Sequence, residues 1–154
     1  SLAKLEILPT ERNFTPPSQL DLPLEANFSD QARLIGLACQ PQTCQVAPGQ
    51  SLTLTLYWRA EASLAKNYTV FTHLLDPAET VLVNADHAPP NPSQGWAPGQ
   101  IIADPVTLLI PANLPPGRYP LEIGLYDAAD PTFTRLPLTN GQTRVLLPDF
   151  FVVK

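Results

Sequence analysis

The sequence predicts an all-β fold, an immunoglobulin-like or fibronectin-III-like antiparallel β-sandwich of seven to nine strands. Three observations point there. From Gln31 onward, short apolar runs separated by turn residues recur at the spacing of sandwich strands. The 19 prolines argue against substantial helix, as does the lack of any window of about twelve residues joining helical periodicity to freedom from proline and β-branched side chains. The clearest run, Ser51 to Arg59, alternates strictly, with Leu52, Leu54, Leu56 and Trp58 on one face and Thr53, Thr55, Tyr57 and Arg59 on the other. With no helix to cover a sheet, two packed sheets are expected, a closed barrel being the second choice.

Residues 1–30 read as an extended proline-rich N-terminal arm, because Pro9, Pro16, Pro17 and Pro23 fix φ and remove donors, with a strand at its start over Leu2 to Leu8. Residues 31–154 read as the sandwich domain. Tyr68 to Leu75 is a strand with both faces partly apolar, and Asp76-Pro77-Ala78-Glu79 is the hairpin turn into a strand over Thr80 to Ala85. Ile101 to Ile110 carries Pro105 and so belongs at an edge or a bulge. Arg118 to Asp127 alternates again, with Tyr119, Leu121, Ile123 and Leu125 opposite Glu122, Gly124 and Tyr126. Phe133 to Leu138 and Arg144 to Val153 complete the set, the latter interrupted by Pro148, while Glu61 to Lys66 can make one helical turn.

Two local phrases are more specific. Ala-Pro-Gly-Gln occurs at 47–50 and 97–100, each time before a β run, and Pro followed by Gly suits a type II turn; one turn used twice is preferred to a tandem repeat because the identity stops there. Leu114-Pro-Pro-Gly-Arg-Tyr119 has the form of a tyrosine corner, in which the hydroxyl bonds backbone a few residues upstream; a plain core role for Tyr119 is the alternative. Either way that residue is architectural.

A chain of 154 residues buries roughly 68 to 70% of its unfolded surface around one core, which suits one domain. A net charge of −5, with its three lysines at 4, 66 and 154, lacks the clustered cations that phosphate backbones require, so no nucleic-acid partner is expected. No apolar run reaches the ~20 residues that cross a bilayer, so no membrane insertion by this segment is expected. Cys39 and Cys44 flank Gln-Pro-Gln-Thr, short enough to bend and bring the sulfurs together. A bridge there would contribute roughly 2 kcal/mol and point to an oxidising compartment; two free thiols in a loop are the alternative. With only His73 and His87 and no H-x-x-x-H spacing, zinc is not expected, and no cofactor is implied. Three N-glycosylation patterns, at Asn13, Asn27 and Asn67, carry no weight by themselves.

No catalytic residue is expected. Nothing resembles a nucleophile elbow, since Gly49-Gln50-Ser51 lacks the flanking glycine. Asp76, Asp86, Asp104, Glu122 and Asp127 supply carboxylates whose pairing is a spatial question, and their plain reading is solvated strand ends and loops. Asp127 and Asp130 lack the alternating oxygen ligands of a calcium loop. The candidate binding face is the second face of the strands at 68–75 and 118–127, neighbours in such a sandwich. It carries Phe71, His73, Glu122 and Tyr126 around the side-chain-free Gly124. The plain alternative is that the arm or a loop covers it.

Four phrases together resemble a known family: Ala26-Asn-Phe-Ser-Asp-Gln-Ala-Arg-Leu-Ile-Gly36, Tyr68-Thr-Val-Phe-Thr-His-Leu-Leu-Asp76, Trp96-Ala-Pro-Gly99, and Pro115-Pro-Gly-Arg-Tyr119 through Gly124-Leu-Tyr-Asp127. They are similar to the C-terminal extracytoplasmic β-sandwich of multi-pass bacterial glycosyltransferases of the dolichyl-phosphate-mannose mannosyltransferase type, and of related proteins of unknown function. The likeness covers about residues 24 to 153, and none of its phrases is catalytic. In that family the transfer chemistry sits in the membrane-embedded part. The resemblance therefore implies a non-catalytic accessory or interaction domain on the outer side of a membrane, with the remainder of a membrane protein or another envelope protein as partner. A carbohydrate-binding module for cell-envelope glycans is the alternative. Sugar recognition wants an exposed aromatic ring, for which only Phe71, Tyr126 and Tyr57 are candidates, Trp58 belonging to the core and Trp96 to a turn; this scarcity favours the accessory role.

Overall fold

In the computed structural model, which describes residues 12–153, the alternating runs become nine strands among the described residues. They are β1 (Leu22–Phe28), β2 (Ala32–Gln40), β3 (Gln45–Val46), β4 (Ser51–Ala60), β5 (Thr69–Leu75), β6 (Val81–Asn84), β7 (Ile101–Leu109), β8 (Gly117–Tyr126) and β9 (Val145–Val153). One sheet has the order β3-β9-β8-β5-β6 and the other β1-β2-β4-β7. All neighbours are antiparallel except β3 and β9, where Val152 and Val153 lie beside Gln45 and Val46 in parallel. This is the expected two-sheet sandwich.

Parity along each strand decides the core. Leu52, Leu54, Leu56 and Trp58 of β4 are fully buried, and they meet Tyr119, Leu121, Ile123 and Leu125 of β8 from the facing sheet. Phe28 and Trp58 pack with ring centroids 5.6 Å apart. Each such side chain contributes roughly 1.5 to 3 kcal/mol by leaving water. On β7 the inward positions are Ile102, Asp104, Val106 and Leu108, so a carboxylate occupies a core register. As an outermost strand β7 tolerates Pro105, which has no N–H to lend to a further neighbour.

The turns follow their chemistry. Gln50 N–H bonds Ala47 O at 3.1 Å and Gln100 N–H bonds Ala97 O at 2.9 Å, with Gly49 and Gly99 at φ 85 and 87, as a type II turn requires. In both copies the glutamine side chain also closes the turn, its Oε1 accepting the alanine N–H at 3.0 and 2.9 Å. Tyr119 makes the corner, its hydroxyl donating to Pro115 O at 2.5 Å. Cys39 and Cys44 form a disulfide with Cα atoms 5.2 Å apart, and Asp21 Oδ2 accepts the Cys39 N–H at 2.7 Å.

Three sequence expectations are corrected. Phe133 to Leu138 is not a strand; Arg135 makes an isolated bridge with Tyr126, flanked by Asp127 N–H to Thr134 O and Leu136 N–H to Leu125 O, and the pairing stops there because the chain then crosses to β1, where Thr139 N–H bonds Asn27 O. Glu61 to Lys66 makes no helical turn: Glu61 N–H is taken by Gln31 O, and Leu64 is drawn into the core. The single helical turn among the described residues is at Ser93–Gly95. In the N-terminal segment residues 12–21 have no regular secondary structure and Leu22–Phe28 is β1, an outermost strand in which Pro23 is accommodated. The strand expected over Leu2 to Leu8 lies outside the described residues.

Candidate functional site

Strand register brings the candidate residues together. On the outer face of the five-stranded sheet, Phe71 lies directly across from Gly124, His73 from Glu122 and Thr69 from Tyr126. The face is covered. Phe71 is only 1% exposed, and its ring fills the space a side chain at Gly124 would need: a Cβ there would lie 2.2 Å from Phe71 Cζ. The gap read from the sequence as room for a ligand is thus occupied from within. Arg135, arriving from the segment between β8 and β9, lays its guanidinium 4.2 Å above the Phe71 ring centre.

Around that aromatic floor runs a continuous polar chain. His73 Nδ1 is 2.7 Å from Glu122 Oε2 and Nε2 is 2.8 Å from Asp86 Oδ1. Tyr126 donates its hydroxyl to Asp86 Oδ2 at 3.1 Å. Arg144 donates to Glu122 Oε1 at 2.9 Å and reaches Glu79 Oε1 at 2.8 Å. Five segments meet here: β5, the turn after it, the residues after β6, β8, and the entry to β9. Burial pushes the Glu122 carboxyl up, but hydrogen bonds from Arg144 and His73 outweigh it and hold the group below its ordinary value. Burial, followed by the Asp86 charge, pushes the Tyr126 hydroxyl up, so it stays a neutral donor.

This constellation joins acids, a base and a tyrosine hydroxyl without the serine or cysteine of a hydrolytic triad. Among the described residues no serine or cysteine side chain bonds either histidine ring. The remaining sequence candidates are dispersed. Asp76 caps its own turn by accepting Thr80 N–H, and Asp127 pairs with Lys66 at 3.2 Å. Asp104, expected to be solvated, is instead fully buried; His87 Nε2 lies 2.8 Å from its Oδ1, and Trp58 Nε1 donates to its Oδ2 at 3.2 Å. The signal for this second cluster was a charged residue at an inward position of β7. Asp21 stands near both cysteine sulfurs, but those sulfurs are bonded to each other and so present no thiolates to a metal.

No protein-family model and no curated protein matches the chain. What remains open on this face is a cleft of about 320 Å³ lined by Phe71, His73, Asp86, Tyr126, Phe133 and Arg135. Phe133 is the residue that strand-by-strand reading missed. It is 59% exposed, its ring stands edge-on to Tyr126 at 5.7 Å, and its backbone is left-handed at φ 50. A lone aromatic directly after the turn-forming Asp130-Pro131-Thr132 was the signal for it. Tyr57, the other aromatic considered, is half-buried on the outer face of the opposite sheet. A wider groove of about 560 Å³ runs between β1 and the stretch from Leu138 to Leu146, with mixed polar and apolar walls.

Proposed function

We propose that this chain is a non-catalytic accessory or interaction domain held outside the cytoplasm, part of a larger membrane-anchored protein of the glycosyltransferase-like kind its sequence phrases resemble. One observation carries the non-catalytic reading. The acids and the histidine of the candidate face are spent on one another, from Glu79 through Arg144, Glu122 and His73 to Asp86 and Tyr126, and among the described residues no serine or cysteine faces the histidine. The disulfide favours a compartment in which thiols oxidise. Among the described residues no helix is long and apolar enough to cross a membrane.

Location is tested on intact cells making the full-length gene product. A membrane-impermeant maleimide should leave Cys39 and Cys44 unlabelled, and should label both once an impermeant phosphine has reduced the bridge. Labelling without reductant, or only after lysis, would contradict an extracytoplasmic domain.

A further inference from the structure

From the cleft beside Tyr126 we infer that this face binds one pyranose ring of a glycan, with Phe133 as its stacking platform, Arg135 as hydrogen-bond donor and Asp86 as acceptor. The inference rests on the non-catalytic reading and goes beyond it by assigning a ligand class. Phe133 is among the large apolar side chains left most exposed, and it stands at the mouth of a cleft that sets His73, Asp86 and Arg135 beside the rings of Phe71 and Tyr126. Arg135 is held flat by Phe71, yet among the described residues its guanidinium has no hydrogen-bond or ion-pair partner, so its donors are oriented but unused. Asp86 is fixed by His73 and Tyr126, and each of its oxygens keeps a second lone pair for a hydroxyl.

Other ligand chemistries fit less well. A simple anion would meet Arg135 but also the Asp86 carboxylate, and would gain nothing from two aromatic rings. A purely apolar ligand would strand both charged groups away from water. A pyranose presents C–H groups on one face and hydroxyls around its rim, matching an aromatic platform flanked by a donor and an acceptor. At about 320 Å³ the cleft is at the lower end of small-molecule sites, the size for one ring with the rest of the glycan outside.

The backbone supplies an independent handle. A bulky residue at φ 50 is in a region that glycine adopts freely, and the turn is fixed by Asp130, which accepts the Phe133 N–H through its carbonyl at 2.9 Å and the Thr132 N–H through its side chain at 3.1 Å. Phe133→Gly therefore removes the platform without weakening the fold.

The test is an amide NMR titration of the whole 154-residue chain with methyl glycosides of glucose, mannose, galactose, N-acetylglucosamine and glucuronic acid, with each mixture checked for hydrolysis. Saturable shifts confined to the amides around Asp86, Tyr126 and Phe133 to Arg135 are expected with at least one glycoside. Binding should weaken at least tenfold in Phe133→Gly, whose melting temperature should equal or exceed that of the parent, and tenfold in Arg135→Gln. If none of the glycosides shifts these amides, or if Phe133→Gly binds as the parent does, the inference is wrong while the accessory role stands. Hydrolysis of a bound glycoside would overturn the non-catalytic reading and this inference with it.

Discussion

Tyr119 shows how one atom can matter to a sandwich. Its ring is in the core, and its hydroxyl reaches back to Pro115 O across the Pro-Pro-Gly turn. The carbonyl it serves sits at the crossover into β8, where a shift would displace the strand that carries Glu122 and Tyr126. Tyr119→Phe should cost about 0.5 to 1.5 kcal/mol in a urea melt, the net worth of one hydrogen bond whose acceptor, on the exposed Pro115, can turn to water. A change within a few tenths would reduce Tyr119 to a plain core side chain. This residue was legible in sequence because its turn, its strand parity and its partner are all local. Phe71 was not: parity placed it correctly on the outer face, yet its burial comes from Arg135, more than sixty residues later in the chain. Gly124 was misjudged for the same reason, since only the cross-strand register reveals that Phe71 occupies the space above it.

At the scale of elements, strands were readable wherever one face is buried and the other is not, as in β4 and β7. Alternation there is the direct imprint of burial. Phe133 to Leu138 has the composition of a strand and begins to pair with the end of β8, but the crossing to β1 at Thr139 ends the pairing after one bridge, and propensity lost to that geometry. The loop between β6 and β7 is tied down differently, by His87 bonded to Ala85 O and to the buried Asp104. Burial lowers the His87 pKa, but the hydrogen bonds to Asp104 and Ala85 and the Asp104 charge together raise it above its ordinary value of 6.5. A raised folded-state value means that the charged pair stabilises fully below about pH 6.5, and that this contribution is lost as pH rises through the folded value. Glu122, with its lowered value, acts in the opposite sense and only in the acid range, losing its contribution as pH falls. Unfolding free energy should therefore decline from pH 6 to pH 9, and the decline should be smaller in His87→Gln. Parallel pH profiles for parent and variant would show that His87 does not carry the effect.

For the whole molecule, the two sheets form a scaffold whose one side is covered by the segment between β8 and β9, and beneath that cover the His73 chain fastens β5, β8 and the entry to β9 to one another. Groups kept for chemistry at the expense of stability leave a protein more stable when they are removed, whereas a fastener leaves it less stable. A double-mutant cycle on His73→Gln and Glu122→Gln, read as unfolding free energy in urea at pH 7, separates the two. Each single variant should be destabilised, and the pair should show a coupling of about 1 kcal/mol or more, as bonded buried neighbours do. Variants as stable as the parent or more so, with no coupling between the positions, would mark His73 and Glu122 as a reaction centre in waiting and contradict their role as the fastening of a non-catalytic domain.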